Sequence, residues 1–311
     1  MKKYFLIFGL IVTIFLISFN KMTDKKTITL NVGYQSPTAA TWGAIVMKNS
    51  GELEKRLNDS FPEYNFKINW IDSQTGMPLI NGLISEKIDF AFVGDMPALL
   101  SKNFKNKNFS PQIIAIDGRG IGGRGQAIFS NGVSNSATTA YGSSAERLLN
   151  YYFSGETTYQ DLASGLQAFD NKKVGIISVW EPYVSILENK GAKKVYDGTN
   201  TNIDYLSAVV INSESQNNKK FKKKFLNIFI ETLSETHDWI SQNRQEAIDI
   251  LSKYTGFEKD IVTETLKNIT FNSSYIGKGE LKTFKSSYDF LKKRNLIDYD
   301  YDNDFFYVKS E

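Results

Sequence analysis

Apolar positions along the chain switch between a period of two and a period near 3.6, which predicts strands and helices in alternation. Thr27–Tyr34 (T-I-T-L-N-V-G-Y) reads as a first strand, followed by the polar loop Gln35–Thr38. A helix then runs through Trp42, Ile45, Val46, Leu53 and Leu57, with Gly51 as its weak point. From Trp70 to Leu100 the order is strand, loop, helix, strand, loop, helix. Lys67–Ile71 and Ile88–Val93 are short apolar strands. Between them, Pro78–Ser85 places Leu79, Ile80, Leu83 and Ile84 on one helical side. Pro78 and Pro97 suit first helical positions, where a missing N–H costs nothing. Gly76 and Gly94 therefore stand where strands end and helices begin. Loops at the carboxyl ends of parallel strands, facing helix N-termini, are where α/β sheets take ligands. An ordinary βαβαβ unit with turn glycines has the same pattern.

Gln112–Asp117 is a further strand, and Gln126–Ser130 is read as its partner. Between them, Gly118, Gly120 and Gly123 form a literal G-x-G-x-x-G. The dinucleotide reading needs a helix immediately afterwards, and Gln126–Ser130 is strand-like instead. The glycine run is read as a mobile crossing segment carrying Arg119 and Arg124. A helix opens after Gly142, where Ser143 and Glu146 fit a capping box; the same Gly-Ser-Ser also offers hydroxyls and N–H groups to an anion. Tyr159–Phe169 reads as helix and Val174–Val179 as a buried strand ending in Trp180-Glu181-Pro182-Tyr183, with Pro182 at a helix start. Ser207–Ile211 is another strand. Phe221, Phe225 and Phe229 then recur every fourth residue through the lysine-rich run Lys219–Lys224, the start of an amphipathic helix. Further helices span Ala247–Tyr254, Asp260–Asn268 and Leu281–Arg294.

A length of 311 residues is enough for two domains, and 41% hydrophobic with 23% charged residues is a globular balance. There is no cysteine, which excludes disulfides, thiolate metal sites and cysteine nucleophiles. The single histidine, His237 beside Trp239, reads as a packing or surface residue. Lys2 and Lys3 precede an apolar run, Tyr4–Phe19, which is either a signal peptide or an uncleaved anchor. Without those two lysines the chain holds 35 basic and 34 acidic residues, a balance that leaves no footprint for nucleic acid. No nucleophile elbow, P-loop, zinc-protease or EF-hand motif is present. Loops rich in glycine, serine, glutamine and tryptophan favour capture of a small ligand over its transformation.

Taken together, G-Y-Q-S at 33–36, Q-T-G-M-P-L-I-N-G-L at 74–83, I-D-F-A-F-V-G-D-M-P at 88–97, G-S-S-A at 142–145 and W-E-P-Y at 180–183 resemble, in order, the periplasmic substrate-binding proteins of ABC importers for nitrate, sulfonate, taurine and bicarbonate. The resemblance implies an α/β, two-lobed (type II-like) fold, each lobe a mixed sheet flanked by helices, with a ligand cleft between lobes that close about a hinge. Residues 1–20 would be leader, 27–117 plus 211–311 the first lobe, and 118–210 the second. The second lobe is expected to be shortened, with a strand missing between Phe153 and Tyr159. The resemblance places Gln35, Ser36, Gly76, Met77, Gly94 and Asp95 in the pocket from the first lobe, with Trp42 as an apolar wall. Ser143 and Ser144 would hold an anionic head group, with Arg124 as counter-charge, and Trp180, Glu181 and Tyr183 would close from the second lobe. The implied ligand is a small anionic or zwitterionic organosulfonate, an alkanesulfonate or taurine, whose amine would meet Glu181. Nitrate, bicarbonate or a thiamine-precursor pyrimidine, a tethered sensory module, and an exported enzyme on the same fold remain alternatives. No cofactor and no metal are implied. The implied partner is a membrane permease with a separate ATPase, the location the periplasm, and the binding protein itself a monomer.

Overall fold

The computed structural model describes residues 25–307, less the side chains of residues 216, 218, 219 and 222. The apolar leader, Tyr4–Phe19, lies outside the described residues. The chain opens with β1 (Lys26–Tyr34), then α1 (Gly43–Ser50) and α2 (Glu52–Ser60), split at Gly51, whose φ of 68° gives the left-handed cap a glycine supplies cheaply. Next come β2 (Tyr64–Asp72), α3 (Gly76–Ile84), β3 (Phe90–Gly94), α4 (Asp95–Leu100) and β4 (Pro111–Gly120). The middle holds β5 (Gln126–Ser130), β6 (Ala137–Thr139), α5 (Ser144–Tyr152), β7 (Thr157–Tyr159), α6 (Leu162–Asp170), β8 (Ile176–Trp180), α7 (Tyr183–Asn189) and β9 (Lys193–Asp197). The chain ends with β10 (Tyr205–Asn212), α8 (Gln216–Gln242), α9 (Arg244–Thr255), α10 (Lys259–Asn268), β11 (Thr270–Phe271) and α11 (Lys278–Lys293).

Two mixed sheets result. The first has the order β11-β4-β10-β3-β1-β2 and the second β7-β6-β8-β5-β9. In the first, β2 and β3 lie parallel to either side of β1, and β10 runs antiparallel between β3 and β4. Each sheet has an apolar cluster on both faces, as expected for strands covered by helices. The phenylalanines spaced by four on α8 do face inward: Phe229 stacks on Phe90 with ring centroids 4.1 Å apart, and Phe221 packs edge-on to Phe66.

Several expectations change. Gln126–Ser130 does not pair with β4; it pairs with β8 and β9 in the other sheet. The chain leaves the first sheet after Gly120 and re-enters it at Tyr205, so β10 belongs to the first sheet over its whole length. The strand expected to be missing is present as β7, three residues paired with β6 and too short to show a period. Pro78 and Pro97 fall at third rather than first helical positions, where the amide is still among those without an intrahelical acceptor. The glycine run serves the crossing itself. Gly123, at φ 86°, lies so close to the returning segment that a Cβ would sit 2.1 Å from the Gly198 carbonyl oxygen.

Of the two readings of His237, packing and surface, the structure shows packing: it is fully buried. Its Nε2 lies 2.8 Å from Asp117 Oδ1 and its Nδ1 2.8 Å from the Asn272 carbonyl oxygen, so both ring nitrogens face oxygen acceptors. Asp117, in β4, is fully buried, and the backbone N–H groups of Gly43 and Ala44 lie near enough to favour its charged form against a burial that pushes its carboxyl up. This junction sets the start of α1, and with it the loop after β1. A Cβ at Gly43 would stand 1.9 Å from Asp117 Oδ1. Gly43→Ala is therefore expected to destabilise the protein by about 2–3 kcal/mol, read as a lower urea midpoint; a wild-type midpoint would contradict this view of the junction.

Candidate ligand-binding site

A cavity of about 360 Å³ lies between the carboxyl ends of β1 and β3 in the first sheet and the end of β8 with the loop before α5 in the second. That size suits a small organic molecule. Its wall is largely apolar, with Met77, Met96 and Leu100 on one side and Tyr141, Tyr159 and Trp180 on the other. Tyr141 and Tyr159 meet edge to face at 5.0 Å. Among the described residues lining it there is no lysine and no arginine.

Polar groups enter from element ends. Helix α3 starts at Gly76 with no side-chain cap from Thr75, which leaves first-turn N–H donors without an acceptor. Helix α5 is capped by Ser143, whose Oγ accepts from the Glu146 N–H at 3.1 Å. Glu146 turns its own carboxylate to the Gly142 N–H at 2.6 Å, one residue earlier than a capping box would. Ser144 Oγ accepts from Gln126 Nε2, and Gln35 Nε2 donates to the Phe92 carbonyl at 3.1 Å.

Of the residues singled out from the sequence, Gln35, Gly76, Met77, Gly94, Asp95, Ser143, Ser144 and Trp180 lie on this wall. Five others do not. Trp42 is fully buried in the core against Phe257, with its Nε1 donating to the Ser36 carbonyl at 2.8 Å. Ser36 stands off the wall, its N–H donating to Asp72 Oδ1. Arg124 is exposed in a separate polar hollow beside Lys194 and Lys267. Tyr183 lines a small adjoining recess with Pro37 and Leu162. Glu181 is fully buried and accepts from Ser185 N, Ser185 Oγ, Thr265 Oγ1 and Asn268 Nδ2. It has no lone pair to spare for a ligand amine. The sequence reading missed Thr38, Thr75, Ala140, Gln160, Tyr205 and Ser207, which line the cavity from strand interiors and loop middles; only the neighbouring motif glycines hinted at their position.

The two halves are bonded to each other on both flanks of the cavity. On one, Trp180 Nε1 donates to Thr38 Oγ1 at 3.3 Å and the Ala39 N–H to the Glu181 carbonyl at 3.0 Å. On the other, two neighbouring residues of α5 meet one face of α11. Arg147 donates to Ser287 Oγ at 2.8 Å and to the Asp204 carbonyl at 2.9 Å. Glu146 accepts from Arg294, at the end of α11, at 2.7 Å. Ser287 in turn donates to Asp95. Burial pushes the Asp95 carboxyl up, and the Arg147 charge opposes that shift. The same burial pulls Arg147 down.

No family model matches the chain. A Bacillus subtilis (strain 168) protein described as "Putative aliphatic sulfonates-binding protein" is 25% identical over 294 residues, covering 88% of this chain and 84% of that protein. The alkanesulfonate-binding protein SsuA of Xanthomonas axonopodis, solved with MOPS bound, superposes with a TM-score of 0.70 at 19% identity, covering 88% of this chain and 96% of that one. The periplasmic aliphatic sulphonate-binding protein SsuA of Escherichia coli gives 0.69 at 20%, covering 86% and 88%. The periplasmic nitrate-binding protein NrtA of Synechocystis gives 0.67 at 15%, covering 88% and 83%. The fold is that of a periplasmic substrate-binding protein.

In this architecture Glu181 serves the scaffold, tying β8 and α7 of the second half to α10, which leads into β11 of the first sheet. Burial pushes its carboxyl above the ordinary glutamate range. A carboxyl that binds its proton more tightly when folded favours the fold at low pH, and this contribution is lost as pH rises from the ordinary value of 4.5 to the raised folded one. The melting temperature of the wild type minus that of Glu181→Gln should accordingly fall as pH rises through that window. A pH-independent difference would show that Glu181 ionises as it does in the unfolded chain.

Proposed function

We propose that the chain is the extracytoplasmic solute-binding component of an ABC importer. It captures a small alkanesulfonate in the cavity between its two halves and delivers it to a membrane permease served by a separate ATPase. The observation that carries this reading is the cavity itself. Its aliphatic and aromatic walls suit a short alkyl tail, and its donors are hydroxyls and helix-start N–H groups suited to an anionic head. Nitrate or bicarbonate would leave those walls in contact with water. The amine of taurine would not meet Glu181, which is committed elsewhere, and the carboxylates on the wall, Asp95 and Asp161, already accept from Ser287 and Ser164. The sulfonate-binding names among the similar proteins support the same ligand class.

On this reading the two halves are lobes, the first sheet with α8–α11 against the second sheet, and ligand is held when they close. The protein acts outside the cytoplasm. No described helix is long and apolar enough to cross a membrane. Ligand leaves unchanged: the polar residues of the wall offer hydrogen bonds, and none is paired with a base that would activate it as a nucleophile.

Calorimetric titration of the purified protein against butanesulfonate, taurine, nitrate, bicarbonate and a thiamine-precursor pyrimidine tests the proposal. Stoichiometric binding of butanesulfonate with a micromolar or lower Kd, weaker binding of taurine and none of nitrate is the expected result. Heat from nitrate alone, or slow release of a product from any of the five, would overturn it.

A further inference from the structure

Ser207 lies in β10, opposite Gly94 of β3, and is 1% exposed. It lines the cavity, yet its buried Oγ has no hydrogen-bond partner among the described residues. Ser143 on the wall donates to the Ala140 carbonyl, and Thr38 and Ser144 accept from Trp180 Nε1 and Gln126 Nε2, so each of these three buried or half-buried hydroxyls has a partner where Ser207 has none among the described residues. A buried hydroxyl without a partner weakens a fold, and native proteins keep few of them. Alanine would fill the strand position equally well, as it does at neighbouring Ala208. The hydroxyl is thus a cost to the empty protein that a bound molecule would remove.

The surroundings say which molecule. Gly94 ends β3 beside the start of α3, where the N–H groups of Gly76 and Met77 meet no acceptor among the described residues. The backbone is tightly held there: a Cβ on Gly76 would come within 2.8 Å of Pro97 Cγ and 3.5 Å of Val93 Cβ. An unpaired hydroxyl and an uncapped nine-residue helix start therefore both line the cavity, on the first-sheet side. Both are donors, and a multi-oxygen acceptor satisfies them together.

We propose that Ser207 contacts the ligand directly. Its hydroxyl donates to one oxygen of the sulfonate head, and the N–H groups at the start of α3 take the others. The head then rests on the first-sheet floor and the alkyl tail runs toward Trp180, Tyr141 and Tyr159. This inference rests on the proposed function. It moves the head group away from Ser143 and Ser144, the positions expected from the sequence.

The test is calorimetry with butanesulfonate on wild type, Ser207→Ala and Ser207→Cys, with thermal unfolding of each protein free of ligand. Ser207→Ala is expected to weaken binding about tenfold while the ligand-free melting temperature stays the same or rises. Ser207→Cys, of similar size but a weaker donor, should fall between the two in affinity. Wild-type affinity in Ser207→Ala would overturn the assignment. So would an affinity loss accompanied by a lower ligand-free melting temperature, because the hydroxyl would then be part of the fold. A wild-type protein that takes nitrate and no sulfonate overturns the proposed function alone, and the same ratio measured on nitrate judges Ser207. A wild-type protein that binds neither overturns both.

Discussion

Arg147 is a cation with almost no water around it, and its partners come from across the gap between the two sheets. Its guanidinium reaches Ser287 on α11 and the Asp204 carbonyl on the returning crossing segment, within the field of the Asp95 carboxylate. A buried charge of this kind contributes little net stability, because the desolvation it suffers offsets what its partners return. What it imposes is register. A relative placement of the halves that breaks one of these bonds must leave a charge or a carbonyl unpaired or let water in. Ser287 and Arg294, two helical turns apart on α11, meet Arg147 and Glu146, adjacent on α5, so two points fix the approach. The cavity has its present, closed shape while those bonds are made, and opening the halves would break them.

The same chain of bonds ends at the cavity wall. Asp95 begins α4 on the cavity wall and accepts from Ser287, which accepts from Arg147. The carboxylate is thereby compensated from behind; the wall's other carboxylate, Asp161, caps α6 and accepts from the Ser164 N–H and Oγ, and no lysine or arginine lines the cavity among the described residues. An anionic head group in such a site depends on oriented N–H groups and hydroxyls. Selectivity then falls to the shape and polarity of the rest of the wall, where Trp180, Tyr141 and Tyr159 form an apolar side. The aromatic side comes from the second half and the glycine-bearing side from the first, so neither half is a site alone.

Local signals carried much of the architecture. Periodicity located the strands of the first sheet, the glycines marked the strand ends, and the order of motifs placed Gly76, Gly94, Ser143 and Trp180 on a common wall. The failures were of a different kind. Trp42 and Trp180 look equally suited to line a pocket, but Trp42 sits on the inward side of the helical segment after β1 and is consumed by the core. Arg124, among glycines, invited a ligand role. Arg147 in an amphipathic helix did not, and its partners lie 57 and 140 residues away. Ser207 is a small residue in an apolar strand, and only the pairing of β10 with β3 shows what its hydroxyl faces. Strand β7 is three residues long and gives no period to read. Contacts between distant segments, and hydroxyls defined by what they lack, are properties of the assembled molecule.

On the proposed function the two halves close on a ligand in the one register that the Arg147 bonds define. A chain without cysteine allows two unique spin labels, at Lys55 on α2 and Lys190 at the end of α7, both exposed and one in each half. Pulsed dipolar spectroscopy would give the distance between them with and without butanesulfonate. The account predicts one narrow distance with ligand and a broader, longer distribution without it. Identical distributions in the two samples, under conditions where calorimetry shows butanesulfonate bound, would contradict it.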